Sequence, residues 1–206
     1  MSNSTNSYLP SHRLVFSFQP RAASTSIKRA LMEALGVDLD PKIIDSKQLE
    51  SLNRQSASQL RDLAKHALIL AFVREPAARL ESCYRHFFCS NRPLKKNQRL
   101  ARQLRMQPNN GSLSTFVERA VQIPDEAADH HIASMTYSTP VWHKVFRFED
   151  GFEWDRVRAI AAERGLKLGG LGHYNKSRSY DSELTDKHRK LIQDRYAADY
   201  KAFGYA

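Results

Sequence analysis

A basic, hydroxyl-rich segment near the N-terminus has the residue types that bind an anion. It spans residues 19–31 (QPRAASTSIKRAL) and combines Arg21 with three consecutive hydroxyl side chains, Ser24, Thr25 and Ser26. The apolar residues that follow recur at helical spacing and predict a helix capped by Ser24 or Thr25. The first N–H groups of a helix have no intrahelical acceptor, so this junction suits a phosphate or sulfate group. The simpler alternative is that the hydroxyls only cap the helix and the arginine is solvated.

A second basic segment directly follows the clearest buried strand of the sequence. The apolar run at residues 67–73 (ALILAFV) predicts that strand, and Arg74 comes next. Pro76 suits the first turn of a following helix. Arg74 at the strand end is a forked cationic donor, which suits an anionic group. For Arg79 alone, a charge on the helix surface is the simpler interpretation.

Two adjacent histidines offer a general base. His130 and His131 follow Asp129 in the segment DEAADHHIASM. Neutral imidazole has a pKa suited to proton transfer, and the carboxylate could orient one of the rings. The alternative is a partly buried histidine that is hydrogen-bonded for structural reasons. The sequence predicts no metal site, because adjacent residues make poor joint ligands and no second cluster completes a tetrahedron.

Alternating strands and helices would position these residues. Predicted strands lie at 14–18, 67–73 and 145–148, and predicted helices at 24–35, 76–88, 112–121, 154–164 and from 185 to the end of the chain. This alternation favours an α/β sheet with parallel strands, which binds ligands outside the carboxyl ends of its strands. Both basic segments would lie at that edge. The basic stretch 91–111 is interpreted as an exposed surface loop.

The first segment contains no glycine, which disfavours the G-x-x-x-x-G-K-[ST] loop of ATP and GTP hydrolases. It resembles instead the 5′-phosphosulfate motif of the sulfotransferase superfamily, roughly P-K-x-x-S-T-S, in the form found in carbohydrate sulfotransferases (family 2). The matching residues are Pro20, Ala23, Ser24, Thr25 and Ser26. FVREPAARLESCY resembles the family's 3′-phosphate motif, F-V-R-[DE]-P-x-x-R-L-x-S-x-Y. Looser resemblance extends through VFRFEDGFEWDRVRAIAAERGL, HYNKS and YAADYKAFGY.

This resemblance implies a fold, a sulfuryl donor and a set of site residues. The fold would be a three-layer α/β sandwich around a mostly parallel sheet, with P-loop-like nucleotide-binding architecture. The donor would be 3′-phosphoadenosine 5′-phosphosulfate, with no metal, and the acceptor a hydroxyl of a sugar or anionic glycan. The implied donor-binding residues are Arg21, Ala22, Ala23, Ser24, Thr25, Ser26, Arg74, Ser82 and Asn175. The implied catalytic residues are Arg21 and a histidine, for which His131 aligns better with the family than His130.

The sequence departs from the family pattern at two positions. Arg21 replaces the lysine that follows the motif proline, and Met135 stands where a glutamine is usual. Arginine supplies charge and hydrogen bonds but cannot donate its proton at ordinary pH. Lys28, one helical turn further on, would compensate only if its side chain points back to the loop. A catalytically impaired relic that still binds nucleotide is therefore an alternative.

The bulk composition sets wider limits. A length of 206 residues, 41% of them apolar, predicts a single domain over 13–206 after a flexible N-terminus at 1–12. The net charge of +10 indicates an anionic partner. A nucleic-acid-binding or polyanion-binding protein is therefore the rival interpretation, although no nucleic-acid-binding module is visible and no nucleic acid is expected.

Two cysteines and no leader or membrane-spanning run favour a cytoplasmic, bacterial-type enzyme, or a catalytic domain without a membrane stem. The oligomeric state is not indicated.

Overall fold

The computed structural model describes residues 6–37, 53–89, 98–107, 111–172 and 184–205, which form a mixed α/β structure. The strands are β1 (Asn6–Leu9), β2 (Leu14–Phe18), β3 (Arg54–Gln55), β4 (Leu68–Val73) and β5 (Lys144–Arg147). The helices are α1 (Ser24–Ala34), α2 (Ala57–Leu63), α3 (Pro76–Phe88), α4 (Gln98–Leu104), α5 (Leu113–Ala120), α6 (Met135–Ser138), α7 (Trp154–Ala162), α8 (Asp186–Arg195) and α9 (Ala197–Phe203). No helix in this described part has the length and apolar character needed to cross a membrane.

The five strands form one sheet that is parallel on one side and antiparallel on the other. Their order is β3-β1-β2-β4-β5. The pairs β2–β4 and β4–β5 are parallel, with Phe18 opposite Phe72 and Phe72 opposite Phe146, whereas β1 runs antiparallel to β2 and β3. Because parallel strands end at the same edge, the loops that follow β2, β4 and β5 begin there together. The predicted α/β class is confirmed, with a sheet of mixed direction.

The N-terminal strand was not predicted. Residues 1–12 were expected to be flexible, but Asn6–Leu9 form β1, and a 3₁₀ turn follows at Pro10–His12. Asn6 is only 2% exposed, and its Nδ2 donates to the carbonyls of Gln55 and Ser138, each at 3.2 Å. These hydrogen bonds satisfy a polar side chain inside the sheet, so a segment of low apolar content is still buried. The expectation is wrong for residues 6–12.

Side-chain caps fix the starts of two helices where the sequence predicted them. Ser112 Oγ accepts the N–H of Thr115 at 3.1 Å at the start of α5. Thr185 and His188 form a reciprocal capping box at the start of α8. The predicted last helix is divided in two, because the chain leaves helical geometry at Tyr196, where φ is −107°.

The basic stretch 91–111 contains a packed helix. Residues 98–104 form α4, in which Leu100 and Leu104 are fully buried. The expectation of an exposed loop is therefore wrong for this part, and residues 90–97 and 108–110 lie outside the described residues. Two leucines four residues apart were the signal, because residues at that spacing share one face of a helix.

The described chain divides into two compact units. The first contains residues 1–74 and 138–176 and includes the sheet, α1, α2 and α7. Its core is aromatic at the centre, where Phe72 stacks on Phe16 and Phe146 with ring centroids 5.8 Å and 5.5 Å apart. The apolar runs of β2 and β4 are buried here, as expected for strands covered on both faces.

The second unit contains residues 75–137 and 177–206 and is helical. It includes α3, α4, α5, α8 and α9, and its core joins Leu80 of α3, Phe116 of α5 and Ile192 of α8, all with no exposed surface. The single domain expected over 13–206 stays a prediction.

Candidate functional site

The turn between β2 and α1 has a backbone conformation that is uncommon outside glycine. Arg21 and Ala23 have φ values of 67° and 49°. The Ala22 N–H donates to the carbonyl of Gln19 at 3.1 Å and closes the turn. Left-handed residues cost about 1–3 kcal/mol each and recur where main-chain N–H groups surround an anion. This strain marks the turn as a candidate for function.

The N-terminus of α1 differs slightly from the predicted one. The N-cap is Ala23, which makes no side-chain cap, and the helix begins at Ser24. The predicted cap, Ser24 or Thr25, is wrong because the left-handed Ala23 already makes the entry turn. Ser24 and Thr25 are partly exposed in the first turn, where helix N–H groups point outwards. Their hydroxyls therefore lie where an anion can bind.

Arg74 lies at the end of β4 and contacts this turn. Its Nη1 donates to the carbonyl of Arg21 at 3.0 Å. Its guanidinium also lies 4.5 Å from the ring centroid of Phe148, which directly follows β5. Phe148 is 38% exposed, and its ring covers the arginine at the edge of the sheet. The parallel sheet thus brings two of the predicted site residues, Arg21 and Arg74, together.

The other predicted donor-binding residues are less exposed. Ala22 has no exposed surface and Ser26 is 3% exposed, so Arg21 and the first two residues of α1 present most of the accessible groups. Ser82 lies on α3 in the second unit and is 6% exposed. Asn175 lies outside the described residues.

Lys28 is a partly buried cation on α1. Its Nζ lies 4.9 Å from the ring centroid of Phe18, the last residue of β2. The side chain therefore points back towards the strand that precedes the turn. Burial, with a smaller contribution from the charge of Arg54, lowers the pKa of Lys28 to about 8. A lysine in this state can lose its proton near neutral pH.

The Lys28→Met substitution should stabilise the protein at pH 7 by about 1–2 kcal/mol, because methionine keeps the volume without a buried charge. The folded protein binds this proton less tightly than the unfolded chain, so the wild type should gain stability relative to the variant between about pH 8 and 10.5. Urea unfolding of both proteins at pH 7, 9 and 10.5 measures the difference. Lys65→Met, at an exposed lysine, is the control and should change little at any pH. A constant difference between wild type and Lys28→Met would contradict the lowered pKa.

The acidic residue of the second motif has a structural role. Glu75 caps α3, since its Oε1 accepts the N–H of Ala77 at 3.1 Å and its Oε2 that of Ala78 at 2.6 Å. Tyr200 Oη donates to Glu75 Oε1 at 2.5 Å. Burial and this hydrogen bond raise the pKa of Tyr200, so the phenol keeps its proton and remains a donor. The Glu-Pro pair therefore fixes where α3 begins.

His131 and Asp129 form a hydrogen-bonded pair in the second unit. Asp129 Oδ1 lies 2.7 Å from His131 Nδ1 and accepts the His131 N–H at 3.0 Å. Burial alone would raise the pKa of Asp129, but its hydrogen bonds to His131 and its electrostatic interactions with His131 and His130 outweigh burial and lower the pKa to about 2. An ionised carboxylate holds the proton on Nδ1 and leaves Nε2 as an acceptor. The predicted orientation of a histidine by Asp129 therefore applies to His131.

His130 is less well placed. Its Nδ1 lies 3.4 Å from Asp129 Oδ1, and its ring centroid lies 3.9 Å from that of His131. The ligand atoms of Asp129, His130 and His131 lie within 4.8 Å of one another, which is close enough for a shared cation. However, the carboxylate oxygen is already bonded to His131 Nδ1. The expectation of no metal stays a prediction.

Arg79 was expected to be a charge on the helix surface. This expectation is wrong, because Arg79 has no exposed surface and donates to the carbonyls of His131 and Ala133. Its position was the available signal: it precedes Leu80 by one residue and Cys83 by four, which puts it on the buried face of α3.

Comparison with known proteins identifies the family. The family model of sulfotransferase family 2 matches residues 7–206, which include both strand-to-helix junctions and His131. No curated protein and no solved structure gives a significant match. Since the family model covers almost all of the chain, this protein belongs to the sulfotransferase family.

Proposed function

We propose that this sulfotransferase moves a sulfuryl group from 3′-phosphoadenosine 5′-phosphosulfate to a hydroxyl of a carbohydrate. The proposal rests on the edge of the sheet where Arg74 donates to the carbonyl of Arg21 beside the N-terminus of α1. Two cations and a helix N-terminus at one place suit a ligand with several anionic groups. In this proposal β2, the turn and α1 serve as a P-loop-like phosphate site without glycine.

The donor is held by groups with separate tasks. Arg21, Ser24 and Thr25 would bind the 5′-phosphosulfate, and the family resemblance assigns the 3′-phosphate to Arg74 and Ser82. The carbonyl of Arg21 and the ring of Phe148 support this role of Arg74, because together they restrict the orientation of its guanidinium. A guanidinium fixed in advance loses less entropy when it binds phosphate.

His131 would act as the general base. The acceptor oxygen attacks sulfur while His131 Nε2 takes the hydroxyl proton, so an S–O bond forms to the acceptor. The bond from sulfur to the bridging phosphate oxygen breaks, and 3′-phosphoadenosine 5′-phosphate leaves. Arg21 stabilises the negative charge that develops on the leaving oxygen and keeps its own proton. His131 then returns its proton to water, and the step needs no metal ion.

We further propose that the acceptor is anionic. α4 has no acidic residue and exposes Arg99 and Arg102. It packs on the chain that leads to His131: Gln103 Nε2 donates to the Ala127 carbonyl at 2.5 Å, and Gln103 Oε1 accepts the Asp129 N–H at 2.9 Å. Arginines on this helix would attract a charged glycan. Unsulfated chondroitin is a carboxylate-bearing probe of this class, and dextran is its neutral counterpart.

Calorimetric titration tests the donor site. The protein should bind 3′-phosphoadenosine 5′-phosphate at least about tenfold more tightly than adenosine 5′-monophosphate, because hydrogen bonds between charged groups contribute about 1.5–3 kcal/mol. Arg74→Ala should lose about 10–100-fold in affinity for the bisphosphate and little for the monophosphate. Arg61→Ala, at an exposed arginine on α2, is the matched control and should bind as the wild type does.

Two outcomes would contradict the proposal. The first is equal affinity for the two nucleotides, since the 3′-phosphate would then contribute nothing. The second is no binding at millimolar ligand. In that case, salt-sensitive binding to duplex DNA that the bisphosphate does not displace would favour the rival nucleic-acid-binding function.

A further inference from the structure

Arg79 bonds the main chain of the segment that carries the proposed base. We call residues 131–136 the histidine segment. Arg79 Nη1 donates to the His131 carbonyl at 3.1 Å, and Nη2 donates to the Ala133 carbonyl at 2.5 Å. Arg79 has no exposed surface, and these two partners are uncharged. The two hydrogen bonds of this buried guanidinium therefore depend on the positions of the main-chain carbonyls and not on the side chains of the segment.

Tyr196 bonds the carbonyl between those two. Its Oη donates to the Ile132 carbonyl at 2.6 Å, and it is 1% exposed. Burial raises the pKa of Tyr196, so the phenol keeps its proton. The guanidinium of Arg79 lies 6.0 Å from the Tyr196 ring centroid. Three successive carbonyls, at residues 131–133, are thus each bonded to a buried side chain, and we call this arrangement the carbonyl clamp.

Two carboxylates hold the other end of the histidine segment. Asp125 Oδ1 accepts the Ser134 N–H at 2.8 Å. Asp199 accepts the N–H groups of Met135 and Thr136 at 2.8 Å and 2.9 Å. With the carbonyl clamp, every residue from 131 to 136 has a main-chain polar group bonded to a side chain from outside the segment. These side chains add to the main-chain bonds of the segment, in which the N–H groups of Ile132 and Ala133 donate to the Asp129 carbonyl at 2.9 Å.

The carbonyl clamp restricts the orientation of the His131 imidazole. Each peptide unit is planar, so a bonded carbonyl oxygen fixes the orientation of that whole unit. The three bonded carbonyls fix the peptide planes that directly follow His131, Ile132 and Ala133. Asp129 holds the imidazole through Nδ1 from the preceding side. The position of the ring is therefore restricted by the main chain of His131 and by the hydrogen bond of its Nδ1, so that Nε2 points in one direction.

We propose that Arg79 and Tyr196 are positioning residues that hold His131 in the orientation in which it accepts the proton of the acceptor hydroxyl. The inference rests on the proposed role of His131 as the base. It adds that the second arginine of the motif R-E-P-A-A-R serves the base and not the nucleotide.

The test compares Arg79→Lys and Tyr196→Phe with Tyr84→Phe in the full-length protein. Lysine keeps the charge of Arg79 but cannot span two carbonyls, and Tyr196→Phe removes one hydroxyl without a change of ring. Tyr84 is the matched control, because its buried phenol also donates to a main-chain carbonyl, that of Gly111 at 2.8 Å. The ¹⁵N spectrum of the imidazole nitrogens reports the His131 Nδ1 hydrogen bond, with His131→Ala for assignment and Asp129→Ala as the reference in which that bond is absent.

Both clamp variants should shift the His131 Nδ1 signal towards that of Asp129→Ala. They should also lower kcat by about 10–100-fold with little change in KM, because a misplaced base costs turnover rather than binding. Turnover is followed as release of 3′-phosphoadenosine 5′-phosphate with unsulfated chondroitin as acceptor. Tyr84→Phe should lose a similar amount of thermal stability, about 2–4 °C in Tm, and keep the wild-type spectrum and kcat.

A His131 spectrum that is unchanged in Arg79→Lys or in Tyr196→Phe would overturn the inference. If Arg79→Lys does not fold, Tyr196→Phe decides by the same measurement. Failure of the proposed base is a separate result: turnover that survives in His131→Ala would refute the proton transfer, whereas a shifted spectrum in the clamp variants would still establish that they position the ring.

Discussion

Replacing His131 by alanine should lower kcat by about 10²–10⁴-fold, because the acceptor hydroxyl loses the group that takes its proton. Affinity for 3′-phosphoadenosine 5′-phosphate should not change, since the proposed donor site uses other residues. Nucleotide release with unsulfated chondroitin measures turnover, and calorimetry measures binding. A lower kcat with unchanged nucleotide affinity indicates a catalytic defect, whereas a folding defect would lower both.

His130→Ala is the matched control for this experiment. His130 lies next to His131 but makes a weaker contact with Asp129, at 3.4 Å against 2.7 Å. Its replacement should therefore have little effect on kcat. A larger loss in His130→Ala than in His131→Ala would transfer the role of base to His130. Small losses in both variants would contradict a histidine base.

The Asp199→Ala substitution should lower the free energy of unfolding by about 3–5 kcal/mol, which is a large part of the stability of a typical domain. Asp199 has no exposed surface, and its carboxylate accepts the N–H groups of Met135 and Thr136 as well as the Thr136 hydroxyl at 2.8 Å. Alanine would leave three donors without this acceptor. Urea unfolding followed by circular dichroism measures the loss.

Asp194→Ala provides the comparison for that loss. Asp194 lies five residues earlier, on α8, and its side chain is 65% exposed in a 3.7 Å pair with Lys190. Exposed pairs of this kind contribute less than about 1 kcal/mol. Equal losses of stability in Asp194→Ala and Asp199→Ala would show that the buried hydrogen bonds do not contribute as inferred.

The edge of the sheet could be predicted because local sequence features determine it. β2 and β4 are apolar runs that end at Phe18 and Val73, shortly before Pro20 and Arg74, and each leads into a helix. Strands of this kind pair in parallel inside an α/β sheet, so their ends meet whatever the rest of the chain does. The convergence of Arg21 and Arg74 follows from that rule.

The surroundings of His131 could not be predicted in the same way. Arg79 is 52 and 54 residues away in sequence from the carbonyls that it bonds. Main-chain carbonyls occur at every residue, so no side-chain pattern marks which of them a buried arginine will reach. The packing of α4 on Ala127 and Asp129 also depends on distant contacts, which outweighed the basic composition that suggested a loop.

The carbonyl clamp also affects how the sequence around the base can evolve. All amino acids have a main-chain carbonyl, so the bonds made by Arg79 and Tyr196 do not depend on the side chains of residues 131–133. His130 and Tyr137, which is 48% exposed, flank the histidine segment and can change without loss of these bonds. Relatives that act on different acceptors would therefore vary at such flanking positions while the proton acceptor keeps its place.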